Sequence, residues 1–80
     1  MHEIRIPKLG MDTTECEIRV WLVAPGDRVD VGAAVLEVET EKTEVVIEAE
    51  AAGIVTALHA TVGQRVPVGS VVGLIDDGGA

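Results

Sequence analysis

Residues 35–51 read V-L-E-V-E-T-E-K-T-E-V-V-I-E-A-E-A, and the alternation of apolar and polar residues changes phase in the middle of this stretch. In the first half the apolar side chains fall at even positions, Leu36 and Val38. In the second half they fall at odd positions, namely Val45, Ile47 and Ala49. A β-hairpin with a turn of even length makes this switch, because the numbers of paired residues then add up to an odd sum.

This phase switch sets the register of the predicted hairpin. Pairing Val38 with Val45 keeps both apolar sets on one face and centres the turn between Glu41 and Lys42. The turn contains no Gly or Asn, which disfavours the turn types that need positive φ and favours a type I turn. Lys42, one of only two lysines in the chain, is therefore predicted to stand at the hairpin tip.

Lys42 interrupts a run of glutamates that lies on both sides of it in the sequence: Glu37, Glu39, Glu41, Glu44, Glu48 and Glu50. In the predicted register Glu39 lies opposite Glu44, and such a like-charge pair destabilises a sheet by a fraction of a kcal/mol, at most about 1 kcal/mol. An exposed lysine at a tip can be a solvated charge that protects a sheet edge, so the spacing alone leaves its role open. A Schiff-base catalyst needs a desolvated amine, so the predicted exposure of Lys42 among carboxylates indicates a modified lysine instead.

An internal repeat with an offset of 37 residues organises the chain. Six of the ten positions from 26 to 35 recur 37 residues later, among them two turn glycines, Gly26 and Gly32, which recur as Gly63 and Gly69. Neither half can bury an apolar face alone, so the repeat predicts two similar β units related by a pseudo-twofold axis within one domain. The same offset places the chain ends at the corner opposite Lys42.

Composition favours an all-β fold with a core of small aliphatic side chains. Valine, isoleucine and threonine supply 26 of the 80 residues, and Trp21 is the only large aromatic ring. β-Branched residues favour strands, so we expect seven or eight short strands in a thin sandwich or flattened barrel. The domain is predicted to span residues 1–75, with residues 76–80 forming a terminal tail or the start of a flexible linker.

Several classes of function are disfavoured. A chain of 80 residues has little material to wall a deep pocket, which favours a binding or carrier module. A formal net charge of −8 argues against nucleic acid and anionic membranes. The single Cys16 permits no internal disulfide or dithiol, and His2 and His59 lack metal-ligand spacing. We therefore predict no catalytic residue and no metal site. We expect Trp21 to be a core or half-buried packing residue and Cys16 to pack as a small apolar residue.

Four strings in order resemble the lipoyl domain of 2-oxo acid dehydrogenase acyltransferases, within the biotinyl/lipoyl-attachment family. They are I-P-K-L-G-M at 6–11, P-G-D-R-V at 25–29, V-E-T-E-K-T at 38–43 and A-A-G-I-V at 51–55. The resemblance extends from about residue 4 to residue 75. It implies a barrel-sandwich hybrid, a flattened barrel of two four-stranded antiparallel sheets with quasi-twofold symmetry. It also implies a non-catalytic carrier domain with lipoate in amide linkage to Lys42.

The resemblance further implies roles for the neighbours of Lys42. Glu39 and Gly53 match family positions that the attaching enzyme recognises. Glu41 and Thr43 stand where the family most often has Asp and Ala, and together with Glu44 we expect them to contribute to recognition. Biotin carriers share the fold but resemble Met-Lys-Met at the tip, which argues against biotin here. A biotin carrier and an unmodified protein-interaction module are the alternatives.

The implied partners are a lipoate-attaching enzyme, a thiamine-dependent 2-oxo acid decarboxylase, an acyltransferase core and dihydrolipoamide dehydrogenase. The lipoyl arm would carry acyl groups and reducing equivalents between these components. Pyruvate, 2-oxoglutarate, branched-chain 2-oxo acids and acetoin all stay open as the source of the acyl group. We expect a monomeric isolated domain in the bacterial cytoplasm, or in the mitochondrial matrix of a eukaryote.

Overall fold

The computed structural model describes residues 1–78, which form eight β-strands joined by turns. The strands are β1 His2–Arg5, β2 Glu15–Trp21, β3 Arg28–Val29, β4 Ala34–Glu39, β5 Glu44–Glu48, β6 Gly53–Leu58, β7 Arg65–Pro67 and β8 Val71–Asp76. The prediction of seven or eight short strands is therefore confirmed. Over these residues there is no helix with the length and apolar character needed to cross a membrane.

The strands form two four-stranded antiparallel sheets. One sheet has the order β1-β8-β6-β3 and the other the order β5-β4-β2-β7. Both sheets contribute buried aliphatic side chains to one core, and none of the buried residues in the described part of the chain is polar or charged. The two-sheet barrel implied by the family resemblance is confirmed.

The internal repeat is visible in the connectivity of the two sheets. Strands β2, β3 and β4 occupy the places in one half that β6, β7 and β8 occupy in the other, and β5 corresponds to β1. The turn hydrogen bonds repeat as well: Gly26 N donates to Val55 O at 2.7 Å, and Gly63 N donates to Ile18 O at 2.7 Å. Each partner of the second bond is related to one of the first by the offset of 37. The predicted pseudo-twofold relationship is therefore confirmed.

The core consists of small aliphatic side chains, as the composition predicted. The largest fully buried side chains belong to isoleucine and leucine, and Val35, Val38, Val55, Val72 and Cys16 complete that set. Trp21 is half-buried at the edge of this cluster, and its indole N–H donates to the carbonyl of Ala60 at 2.9 Å. A buried indole N–H needs such a partner, so this bond allows the ring to pack against the core without an unpaired donor.

The two ends of the described chain lie next to each other. The amino group of Met1 is 3.7 Å from a carboxylate oxygen of Asp77. The placement of these ends opposite Lys42 stays a prediction. Strand β8 extends through Asp76, so the first residue of the predicted tail is part of the sheet. Residues 79 and 80 lie outside the described residues, and the linker stays a prediction.

Candidate functional site

Strands β4 and β5 form a hairpin whose register is the one predicted from the phase of the apolar residues. Val38 pairs with Val45, and Leu36 pairs with Ile47. Because Leu36 and Val38 are fully buried, a slip by one residue would move glutamates into the core, and this fixes the register. The turn consists of residues 40–43, called the hairpin tip below.

The hydroxyl of Thr40 organises the hairpin tip. Its Oγ1 accepts hydrogen bonds from the backbone N–H of Lys42 at 3.2 Å and of Thr43 at 3.1 Å, and it donates to the carbonyl of Thr43 at 3.0 Å. The N–H of Thr40 also donates to that carbonyl, at 2.8 Å. No described residue other than glycine has positive φ, which excludes the turn types that the absence of Gly and Asn disfavoured.

Lys42 is exposed at the hairpin tip. None of the ion pairs found among residues 1–78 involves its ammonium group. The backbone of Lys42 is held by Thr40 while the side chain projects without a charged partner in the described part of the chain. A flexible four-carbon stem on an ordered backbone can present its amine to another protein.

An acidic surface surrounds this amine. A shallow depression at the tip is lined by residues of β2, β4, β5, β7 and the tip itself: Glu15, Glu17, Glu39, Thr40, Glu41, Lys42, Thr43, Glu44 and Arg65. Two of its glutamates are paired with arginines, Glu15 with Arg65 at 2.8 Å and Glu17 with Arg19 at 3.3 Å. These surface pairs contribute little to stability, and Glu39, Glu41 and Glu44 outnumber the charge of Lys42, so the tip is net negative.

The structure brings together most of the residues predicted for this site. Glu39, Glu41, Thr43 and Glu44 all line the depression around Lys42, and Glu39 pairs directly with Glu44 across the two strands as predicted. These positions agree with the predicted recognition surface. Their role in recognition stays a prediction.

Gly53 does not belong to this cluster. It begins β6 in the other sheet, where it pairs with Val29 of β3. A Cβ atom on Gly53 would lie 2.1 Å from the carbonyl oxygen of Asp76 and 2.8 Å from a methyl group of Ile75. Close approach of β6 to β8 therefore requires glycine at this position. A direct role of Gly53 in recognition stays a prediction.

Cys16 lies in the core rather than at the site. Its side chain is 1% exposed, and burial, followed by the nearby charge of Glu15, raises the pKa of its thiol. A buried thiol with a raised pKa is a poor nucleophile, so Cys16 acts as a small apolar core residue. Within the described part of the chain, histidine, cysteine and carboxylate side chains form no group of three or more that could hold a metal ion.

Sequence reasoning missed two parts of the site. The first is Thr40, whose position two residues before Lys42 is the sequence signal for a side chain that bonds the backbone of a turn. The second is Glu15, Glu17 and Arg65, which come from β2 and β7. They reach the tip only because β2 pairs with both β4 and β7, and no local pattern in the sequence reveals that pairing.

Comparison with known proteins agrees with the fold and with the motifs. The family model for biotin- and lipoyl-attachment domains, described as "Biotin-requiring enzyme", matches residues 2–75. In the solved structures, the lipoyl domain of the 2-oxoglutarate dehydrogenase complex from Azotobacter vinelandii has the same fold. Its TM-score is 0.77 at 24% identity, with 99% of this chain and 100% of that chain covered.

The curated relatives are acyltransferase components of dehydrogenase complexes. The succinyltransferase component of the 2-oxoglutarate dehydrogenase complex from Staphylococcus saprophyticus is 38% identical over 98% of this chain and 18% of its own length. The lipoamide acyltransferase component of the branched-chain alpha-keto acid dehydrogenase complex from Bacillus subtilis is 35% identical over 100% of this chain and 19% of its own length. The chain thus spans about a fifth of the length of these relatives.

The family match covers nearly all of the eight strands and includes the hairpin that displays Lys42. The resemblance stated from the four sequence strings is confirmed. The chain therefore belongs to the biotin- and lipoyl-attachment domain family, and it is a carrier module, itself non-catalytic, of the kind found in acyltransferase components of 2-oxo acid dehydrogenase complexes.

Proposed function

We propose that this domain is a lipoyl carrier and that Lys42 holds the lipoyl group through an amide bond to its side-chain nitrogen. The observation that carries the proposal is the position of Lys42, exposed at the tip of the β4–β5 hairpin and without an ion-pair partner among residues 1–78. The relatives named as dihydrolipoyllysine-residue transferases support the same interpretation.

The residues at the tip fit such a group. An amide bond converts the ammonium of Lys42 into a neutral group, and it breaks none of the ion pairs among the described residues because Lys42 takes part in none of them. The bound lipoyl group would supply a disulfide that accepts two electrons and an acyl group. The depression around Lys42 is lined mainly by carboxylates, which offer no apolar contact to hold such an arm against the domain.

The domain itself serves to hold the attachment point of the arm. Its fully buried core and the hydrogen bonds of Thr40 keep the attachment point in a defined place while the arm moves. Tethering an arm near several active sites raises its effective concentration at each of them, without the domain contributing to the chemistry. The proposed partners are the decarboxylase, the acyltransferase core and the dihydrolipoamide dehydrogenase of one complex.

We infer that the carboxylates at the tip are recognised by the attaching enzyme or by the decarboxylase. Glu39, Glu41 and Glu44 lie on either side of Lys42, and Glu39 faces Glu44 at some cost to the sheet. Complementary charge on a partner would steer encounter and fix orientation. Thr43 belongs to the same surface, whereas Gly53 lies in the other sheet, where the packing of β6 against β8 requires glycine.

The relatives differ in the acyl group that their names state, which includes succinyl, acetyl and branched-chain acyl groups. This domain is similar to all of them at 32–38% identity, so no single 2-oxo acid is favoured. The relatives named here are bacterial, which supports the bacterial cytoplasm as the proposed location.

A biotin carrier is the alternative that the family match itself contains. Intact mass spectrometry of the protein, after incubation with a lipoate-attaching enzyme or with a biotin-attaching enzyme, separates the two. We expect one lipoyl adduct and no biotin adduct. A biotin adduct would favour the alternative, and no adduct with either enzyme would favour an unmodified interaction module.

A further inference from the structure

We propose that Thr40 is a positioning residue for the modification of Lys42: its hydroxyl fixes the backbone of the hairpin tip in the conformation that the attaching enzyme accepts. This inference rests on the proposed lipoyl function. It concerns a residue to which neither the family resemblance nor the acidic surface assigned a role.

The hydroxyl of Thr40 has all of its hydrogen-bonding capacity in use at the tip. A hydroxyl group offers one donor and two acceptor positions. Oγ1 of Thr40 accepts from the N–H of Lys42 at 3.2 Å and of Thr43 at 3.1 Å, and it donates to the carbonyl of Thr43 at 3.0 Å. One side-chain atom thus binds the backbone of Lys42 itself and of the residue after it.

No other side chain in the described part of the chain holds the tip in this way. The hydroxyl of Thr43 donates only to the carbonyl of Glu44, at 3.3 Å, which lies outside the turn. Beyond the hydroxyl of Thr40, the turn is closed by the backbone bond from Thr40 N to Thr43 O at 2.8 Å. Removing the hydroxyl would therefore leave the ends of the turn joined but free the N–H groups of Lys42 and Thr43.

The consequence for stability and the consequence for modification are separable. Glu41, Lys42 and Thr43 are exposed, so water can bind the freed N–H groups and the fold loses little. The backbone of Lys42 then samples several conformations, and a partner that accepts one of them binds with an affinity reduced by the fraction of that conformation. Loss of the hydroxyl should therefore raise the KM of the attaching enzyme for this domain and leave kcat unchanged.

The test compares Thr40→Val, which has nearly the same shape without a hydroxyl, with Thr40→Ser, which keeps the hydroxyl. Thr56→Val is the matched control, because Thr56 lies on β6 and its hydroxyl contacts the carbonyl of Leu74 at 3.4 Å, away from the tip. If the accepted conformation falls to about a tenth to a fifth of the population, KM rises about 5- to 10-fold in Thr40→Val. Thr40→Ser and Thr56→Val should stay within about 2-fold of the parent protein, since both keep the hydroxyl bonds at the tip. An unchanged KM in Thr40→Val, or an equal rise in Thr40→Ser, would overturn the proposal.

Two further measurements make the result independent of folding and of the lipoyl assignment. Acetylation of Lys42 by a small acylating reagent should proceed at the same rate in Thr40→Val and in the parent protein, because the exposure of the amine does not change. If the acetylation rate falls as much as lipoylation does, the effect lies in the amine itself and the proposal is overturned. Amide hydrogen exchange at Lys42 and Thr43 should be faster in Thr40→Val than in Thr40→Ser, and equal exchange would overturn the proposed hydrogen bonds. If the parent protein is not lipoylated at all, the proposed function fails, whereas the exchange experiment still tests the geometry.

Discussion

Equivalent rows of residues cross the two sheets, and their charges differ. On the sheet that carries the hairpin tip, cross-strand neighbours form the row Arg65, Glu17, Glu39 and Glu44. On the other sheet, the positions related by the offset of 37 form the row Arg28, Ile54 and Asp76. The backbone pairing is the same in both rows, but only the row beside Lys42 places carboxylates next to one another on three neighbouring strands.

This difference separates what the fold requires from what the site requires. Adjacent like charges destabilise a sheet slightly, and the second half of the molecule forms the same row with an isoleucine at the position equivalent to Glu17. The fold therefore does not require the acidic row. Its place next to the exposed Lys42 agrees with the proposed role of these carboxylates in recognition.

The largest effect on stability should come from Gly53, a position at which the two halves of the repeat cannot carry the same residue. Gly53 corresponds to Cys16 under the offset of 37, yet a Cβ on Gly53 would lie 2.1 Å from the carbonyl oxygen of Asp76. Gly53→Ala should lower the free energy of unfolding by about 3 kcal/mol, because β6 and β8 must move apart. Urea unfolding measures this loss.

The same variant tests whether Gly53 acts through packing or through contact with a partner. Below its melting temperature, Gly53→Ala should be lipoylated at a rate close to that of the parent protein. A stable variant that is modified slowly would contradict the packing explanation and favour direct recognition.

A smaller loss of stability, equal in the two halves, is expected at the turn positions where both halves have glycine. Gly26 and Gly63 have φ values of 98° and 91°, and their N–H groups make equivalent hydrogen bonds at 2.7 Å. Alanine is strained at such φ values, so Gly26→Ala and Gly63→Ala should each cost about 1–2 kcal/mol. Thermal or urea unfolding of the two variants should give losses that agree closely. Losses of unfolding free energy that differ by more than about 1 kcal/mol would show that the two equivalent turns do not contribute equally to stability.

The smallest effect on stability should have the opposite sign. Glu39→Gln removes the charge that faces Glu44 and Glu17, so it should stabilise the fold by up to about 0.5 kcal/mol. The same change should slow lipoylation if the acidic row is recognised. Asp76→Asn is the matched control, since Asp76 is the equivalent residue of the other half. Lipoylation that is slowed equally in the two variants would show that the position of the charge does not matter.

Local sequence patterns predicted the hairpin and its register because both depend on residues close together in the chain. The phase change between Leu36 and Ile47 depends only on burial along two neighbouring strands, and the pairing agrees with it. The internal repeat likewise predicted equivalent turns at Gly26 and Gly63.

The remaining features depend on contacts that no local pattern reveals. Glu17 reaches Glu39 only through the pairing of β2 with β4, which contains an irregularity between Ile18 and Val20. The requirement for Gly53 arises from the end of β8, more than twenty residues away in the sequence. The role of Thr40 depends on the orientation of one hydroxyl, and a propensity for a turn does not specify it.

Localisation of the adduct by tandem mass spectrometry tests the central claim most directly, because Lys8 and Lys42 are the only lysines in the chain. The protein, its Lys42→Arg variant and its Lys8→Arg variant would each be treated with a lipoate-attaching enzyme and digested. We expect the lipoyl group on the peptide that contains Lys42, its complete loss in Lys42→Arg and full modification of Lys8→Arg. A lipoyl group on Lys8 or on the amino terminus, or an adduct that survives in Lys42→Arg, would contradict the account.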